Sequence, residues 1–318
     1  MGRDSRPAEA GRGAVDHGIQ AGDRTADRNA VGAVEPTTVQ VDRARIVRNL
    51  QPLPAIAARL MQMVSTDEVV FRRVADLIRT DAAISAEVLA LANSPLLGCR
   101  ESIRGILQAL AMLGLDRVKG LVLTVSLRNL LKSTLHRSVL RRCWRHSLAC
   151  AILCEEIGSA CWFDKDRFYT AGLLHDVGRL ALVATYPDEY AQMLEEADRA
   201  EAGDLDLLRA ERERFDADHS EVGSRLMEEW GFPGEYREIT GEHHQPAPPG
   251  RFDEGRAVRL ACRLADMLGF QVAGQAPPVN FDELQSEFPG CSWERMKTSD
   301  DLLLEIAHKI NALECSLV

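Results

Sequence analysis

The sequence predicts an all-α protein, a two-lobed helical bundle. Three observations carry that expectation. From Ile46 onward, apolar residues recur at i, i+3, i+4 and i+7, the period of one helix face. No segment alternates apolar and polar residues convincingly, as a half-buried strand does. Capping residues and Gly or Pro stops punctuate the apolar stripes at helix-length intervals.

Residues 1–42 are rich in Gly, Ala, Asp and Arg and lack any helical period. Too little apolar surface is available there to offset ordering entropy, so a disordered tail is expected. Ile56, Leu60, Met63 and Val64 then define a first helix face, and Phe71, Val74, Ala75 and Ile78 a second. Asp81 is placed to cap the helix carrying Ile84, Val88 and Leu91, which Asn93-Ser94-Pro95 stops. Ile103 to Leu113 forms another face closed by Gly114, after which Asp116 is expected to cap a helix running to about Leu131. Leu121 to Val125 has strand-like composition, but it sits inside that helical pattern.

Further helices are expected over about 139–157, over a segment leading into Leu173-Leu174-His175, and over a segment opened by Asp218-His219-Ser220-Glu221 and stopped at Gly231-Phe232-Pro233. Helices over 256–268 and 300–314 complete the series, the last with Leu302, Leu303, Ile306, Ile310 and Leu313 suited to docking.

The chain has 318 residues, 46% hydrophobic and 27% charged, the composition of an ordinary globular protein. Its formal net charge of -10 disfavours nucleic acid or an anionic membrane as partner. No apolar run reaches the length of a membrane span, and no secretory leader is recognisable. Eight cysteines with no CxxC pair fit a reduced, cytoplasmic protein. Cys143, Cys150, Cys154 and Cys161 fall on one helical stripe, Gly158 being expected to end the helix before Cys161. Neighbours at i and i+4 there could share a soft metal, although buried thiols are commoner as small core residues.

The chemistry-bearing residues lie in five short contexts. They are Trp144-Arg145-His146-Ser147, Gly172-Leu173-Leu174-His175-Asp176-Val177-Gly178, Asp218-His219-Ser220-Glu221, Glu242-His243-His244 and Leu264-Ala265-Asp266. Imidazole and carboxylate are the usual protein ligands of divalent iron, manganese and zinc. A lone histidine on a helix is more often a surface or satisfied core residue, and an HD dipeptide alone recurs by chance. Here the pieces come in the order H, HD, H, HH, D, each on or beside a helical segment.

That order resembles the HD superfamily of metal-dependent phosphohydrolases, whose name comes from the pair matched by His175-Asp176. The resemblance implies that His146, His175, Asp176 and Asp266 hold a first metal and that His219, His243 and His244 complete a second site. One or two divalent ions such as iron or manganese are expected, and in active members of that superfamily the metal activates water for attack on phosphorus.

The first half extends the resemblance to the HDOD family of bacterial signalling proteins. Leu50-Gln51-Pro52-Leu53-Pro54-Ala55, Thr80-Asp81-Ala82-Ala83-Ile84-Ser85, Leu89-Ala90-Leu91-Ala92-Asn93-Ser94, Met112-Leu113-Gly114-Leu115 and Trp230-Gly231-Phe232-Pro233 are similar to its motifs, in order. The implied domain covers 43–270, as an N-terminal lobe over 43–135 and an HD-like lobe over 136–270, with a helical extension over 271–318. The implied role is an output or interaction module that engages a signalling protein, non-catalytic and metal-binding. A metal-dependent phosphohydrolase acting on a nucleotide or phosphoester is the alternative. Cyclic-dinucleotide phosphodiesterases of the superfamily carry Lys after HD-x-Gly, where this chain has Arg179, and their Gly-Tyr-Pro motif is absent here, so that activity is disfavoured.

Arg117, Lys119, Arg128, Lys132, Arg137, Arg141, Arg142 and Arg145 form a basic stretch. A solvated, ion-paired helix face is the favoured reading. The competing one is a phosphate or nucleotide site in which Arg142, Arg145 and Arg179 serve as ligands.

Overall fold

Helix follows helix because each apolar stripe can be buried only against another. The structure, a computed structural model, describes residues 55–63, 68–94, 101–200, 204–247, 249–274, 281–290, 292–296 and 299–316. The expected tail over 1–42 and the opening Leu-Pro motif up to Pro54 lie outside them. Among the described residues there is no strand.

In chain order the helices are α1 (Ala55–Met61), α2 (Glu68–Arg79), α3 (Ala82–Ala92), α4 (Ile106–Leu113), α5 (Leu115–Leu131), α6 (Ser138–Ala160), α7 (Lys165–Leu174), α8 (Val177–Thr185), α9 (Pro187–Ala200), α10 (Asp204–Phe215), α11 (His219–Glu229), α12 (Gly234–Glu242), α13 (Glu254–Met267), α14 (Phe281–Ser286) and, after a 3-10 turn at Ser292–Arg295, α15 (Ser299–Ser316).

Asp81 caps α3 as expected, its side chain accepting from the Ile84 backbone N–H at 3.0 Å. Asp116 does not cap α5. Gly114, with φ +86°, both terminates α4 and starts α5, a one-residue corner that leaves Asp116 inside the first turn. There it still faces the positive helix end, and it pairs with Lys119. Gly158 does not end α6, which continues to Ala160. Its missing side chain admits Phe168 of α7 instead, whose ring carbon lies 3.0 Å from where a Cβ would stand.

Helix α5 is apolar around most of its circumference, and the whole run from Val118 to Leu127 except Lys119, Gly120, Thr124 and Ser126 is hydrophobic and buried. It packs on α1 and α3 on one side and on α7 and α8 on the other. The Thr124 hydroxyl is satisfied by the Gly120 carbonyl and the Tyr169 hydroxyl. The helices α6, α7, α8, α11, α12 and α13 build the second half, with α7 and α13 both lying along α6. Helix α15 docks on α6 and α3 through buried Leu302, Ile306, Ile310 and Leu313. The residues described from Ala55 on thus belong to one compact unit.

Candidate metal centre

Two close helix crossings position the HD dipeptide. His175 closes α7 and Asp176 opens α8 one residue later, so both side chains sit at a corner. Three residues before it, Gly172 lets α7 lie against α6: a Cβ there would stand 2.6 Å from the Cys150 carbonyl oxygen and 2.8 Å from Ala151 Cα. Two residues after it, Gly178 lets α8 touch α11, where a Cβ would collide with the His219 carbonyl and the Gly223 amide. The first crossing brings His175 to His146 and Cys150 on α6. The second brings Asp176 to His219, the first residue of α11, held there by the Asp218 cap on the Glu221 N–H at 2.9 Å. His243 closes α12 and His244 follows it.

The donors gather into two groups of four. One holds His146, Cys150, His175 and Cys262, and the other Asp176, His219, His243 and His244; within each group the ligand atoms lie within 4.8 Å of one another. In the second, His219 Nε2 is 2.9 Å from His244 Nε2 and 3.4 Å from His243 Nε2. Asp176 Oδ1 is 3.2 Å from His219 Nε2 and 3.4 Å from His243 Nε2. Donors held about 2.0–2.2 Å from one ion are separated by roughly 3 Å from their neighbours, so this spacing fits a shared cation.

Four of the imidazoles are oriented from behind. His146 Nδ1 meets the Phe270 carbonyl at 2.9 Å, His175 Nδ1 the Gly172 carbonyl at 2.7 Å, His243 Nδ1 the Thr240 carbonyl at 3.0 Å and His219 Nδ1 the Glu211 carboxylate at 2.6 Å. A carbonyl or carboxylate oxygen can only accept, so each Nδ1 donates and each Nε2 is aimed into the cluster. This is the outer arrangement of histidine ligands at metal centres. The Phe270 carbonyl is delivered by the turn that ends α13, in which Gly269, at φ +85°, lets the Phe270 N–H reach the Ala265 carbonyl at 2.9 Å. His175 Nε2 and Asp176 Oδ1 are buried without a hydrogen-bond partner of ordinary geometry, which a cation would supply.

The two groups differ electrically. Burial lowers both His243 and His244, reinforced by their histidine neighbours, so both stay neutral. Burial would raise Asp176, but Arg179, His175 and His219 outweigh it and keep the carboxyl well below its usual range. In the other group a hydrogen bond from Cys150 and the nearby His175 bring the Cys262 thiol down against burial. His146, against burial, is pushed up to about 10 by Cys262 and Asp266.

Arg179 lies within the core, 1% exposed. Its Nε donates to Asp176 Oδ2 at 2.7 Å and its Nη1 to Glu211 Oε1 at 3.5 Å, while Nη2 stands 3.2 Å from His219 Nε2. Burial raises the Glu211 carboxyl, but His219 and Arg179 win and hold it at about 2. Tyr190 donates its hydroxyl to the same carboxylate.

Of the residues singled out from the sequence, His146, His175, Asp176, His219, His243 and His244 converge here. Asp266 stands behind His146, its Oδ1 3.7 Å from Nδ1, while Cys262 one turn earlier on α13 faces the cluster. Arg142 pairs with Asp198 at the surface, at 2.7 Å, and Arg145 is half-buried on the same helix. Arg117 pairs with Glu155 and Asp166, and Arg137 with Asp188. Cys262, Glu211 and Tyr190 lie outside the sequence motifs, and Cys150, expected as a small core residue of the cysteine stripe, faces His146 and Cys262. A usable signal was present: Cys150 follows His146 by one helical turn, and Cys262 precedes Asp266 by one.

A family profile described as HDOD domain matches residues 50–246. Among solved structures, this chain is similar to an HDOD domain protein of unknown function from Geobacter sulfurreducens, with a TM-score of 0.67, 26% identity, and 86% of this chain and 97% of that one covered. It shares its fold with a protein described as a proposed phosphohydrolase from Shewanella amazonensis SB2B (TM-score 0.62, 21% identity, 87% and 98% covered). It also shares it with a proposed signal transduction protein from Marinobacter aquaeolei VT8 (TM-score 0.65, 20% identity, 86% and 62% covered). A curated protein of Treponema pallidum, uncharacterised, is 23% identical over 282 residues. The match takes in 82% of this chain but spans only about half, 53%, of that relative's length.

Proposed function

The chain belongs to the HDOD domain family, and on that premise we propose that it is a signalling output module that holds a divalent cation without hydrolysing phosphoesters. The observation that carries this reading is the placement of Arg179. The position that follows HD-x-Gly holds a guanidinium turned into the core, with Asp176, Glu211, Tyr190 and His219 around its donors. A cation engaged in that way is not presented to a phosphate. Asp176, His219, His243 and His244 would hold the ion, iron or manganese by the hardness of the donors. Such an ion, when bound, would supply charge to the corner between α7 and α8 and polarise any oxygen ligand placed there. The residues themselves do the rest: Glu211 and Thr240 orient the imidazoles, and burial keeps His243 and His244 neutral. The output is contact with a signalling protein, with residues 43–135 and 136–270 as the two lobes of the module. A cytoplasmic setting is part of the same proposal; among the described residues no helix is long and apolar enough to cross a membrane.

The test is elemental analysis of freshly purified protein beside His219→Ala, followed by assay of the metal-loaded protein on nucleotide and phosphoester substrates. Bound iron or manganese without turnover is the expected result. Turnover that disappears in Asp176→Ala would establish the phosphohydrolase instead.

A further inference from the structure

We propose that His146, Cys150, His175 and Cys262 form a closed imidazole–thiolate site for a soft divalent cation of the zinc type, separate from the Asp176 group. The proposal rests on the preceding reading only in taking this corner of the bundle to be metal-holding.

The geometry is that of a tetrahedral ion. Bonds of about 2.3 Å to sulfur and 2.0–2.1 Å to nitrogen place two sulfurs roughly 3.8 Å apart and a sulfur and a nitrogen roughly 3.6 Å apart. Cys150 Sγ lies 3.9 Å from Cys262 Sγ and 3.5 Å from His146 Nε2. His175 Nε2, in a residue 1% exposed, has no hydrogen-bond partner of ordinary geometry and faces the same point.

The fold supplies the rest of a built site. His146 and Cys150 are one turn apart on α6, His175 closes α7, and Cys262 comes from α13. Both imidazoles are fixed by carbonyls at Nδ1, from Phe270 and Gly172, with Asp266 beyond His146. Two thiolates select a soft ion over iron, manganese or magnesium, and they balance its charge. Four protein ligands saturate a tetrahedral ion, so the site has no open position for substrate and is structural or regulatory. It also differs from its neighbour in its surroundings. There the Arg179 guanidinium already stands 3.2 Å from His219 Nε2, a resident positive charge against which an added ion must compete. Because His175 and Asp176 are consecutive, an ion on the thiolate side fixes the orientation of the carboxylate that serves the other group.

Cobalt(II) is the probe. Full-length protein stripped with a chelator is titrated with cobalt chloride and watched for the near-ultraviolet thiolate-to-cobalt charge-transfer absorption. One equivalent is expected to develop the band, and zinc to bleach it. Cys150→Ser and Cys262→Ser should each weaken zinc binding by more than about 100-fold, since even outer contacts to ligands are worth 10- to 100-fold, and each should cut the band at cobalt saturation to about half, the share of the one thiolate that remains; the double variant should abolish it. Cys262 is half-buried, so its serine variant tests the ligand without emptying the core; far-ultraviolet circular dichroism checks the fold. Asp176→Asn, which disables only the neighbouring group, should keep the band. Cobalt bound to the wild type without that absorption, or a band undiminished in Cys262→Ser or still present in the double variant, would overturn the thiolate site and leave the metal-holding module standing. A protein that binds no cobalt at all would overturn both. Phosphoester turnover beside an intact band would overturn the non-hydrolytic reading alone.

Discussion

Glu211 shows how one residue can organise a centre it does not enter. Its carboxylate is 0% exposed and fixes His219 through Nδ1 and through the backbone N–H at 2.8 Å, while also facing Arg179 and Tyr190. Folding lowers its pKa from the ordinary 4.5 to about 2. A carboxyl depressed in this way stabilises the fold fully above the unfolded value, near 4.5, and the contribution is lost as pH falls through the folded value, near 2. The shift corresponds to about 3 kcal/mol at neutral pH. In chelator-treated protein, Glu211→Gln is therefore expected to lose about that much in urea unfolding at pH 7 and to flatten the stability profile between those two pH values. A variant as stable as wild type at pH 7, with an unchanged acid slope, would show that the carboxylate is not engaged as described. Nothing in the sequence around Glu211 marks this role. It lies in Arg209-Ala210-Glu211-Arg212-Glu213-Arg214, where alternating charge reads as a solvated face. Only the packing of α10 shows which of these charges turns inward.

At the scale of elements, the legible features were those with a local cause. Asp81 and Asp218 cap helices because the capping bond needs only three residues of chain. Asp116 and Gly158 depart from expectation because the cause is not local. A single glycine serves as both the end of α4 and the start of α5, and Gly158 answers to Phe168 on another helix. Six of the seven expected metal ligands converge, since the HD corner and the His-His helix end are written in short motifs. Cys262 was hidden because a half-buried cysteine on an amphipathic helix looks like core until α13 is laid along α6. The same dependence on crossings gives a test. Gly178→Ala puts a methyl group against the His219 carbonyl, so α8 and α11 must separate and Asp176 must withdraw from His219. Denaturant unfolding should show a loss of about 1–3 kcal/mol or more, the usual cost of overpacking. Manganese or iron content should fall, while the thiolate-to-cobalt band, which depends on α6, α7 and α13, should persist. Retention of both metals at wild-type stability would mean that the crossing does not hold the second group together.

For the whole molecule, the boundary of the family resemblance and the boundary of the folded unit do not coincide. The HDOD profile ends at residue 246, before α13 begins at Glu254. Yet α13 lies along both α6 and α7, buries Ala257, Val258, Leu260, Ala261, Leu264 and Ala265, and carries Cys262 and Asp266. Its terminal turn delivers the Phe270 carbonyl to His146. Helix α15 then returns to α6 and α3, burying Leu302, Ile306, Ile310 and Leu313, side chains worth about 1.5–3 kcal/mol each when fully removed from water. A fragment cut to residues 50–246 would thus expose the apolar surface of α6 and α7 and lose one thiolate and the carbonyl behind an imidazole. It is expected to unfold without a cooperative transition and to show, on cobalt uptake, at most the weaker absorption of a single thiolate. A fragment cut after Phe270 keeps α13 and should recover the absorption while still losing the docking of α15. Cooperative unfolding of the 50–246 fragment at wild-type stability would show that α13 is dispensable, against the packing seen here.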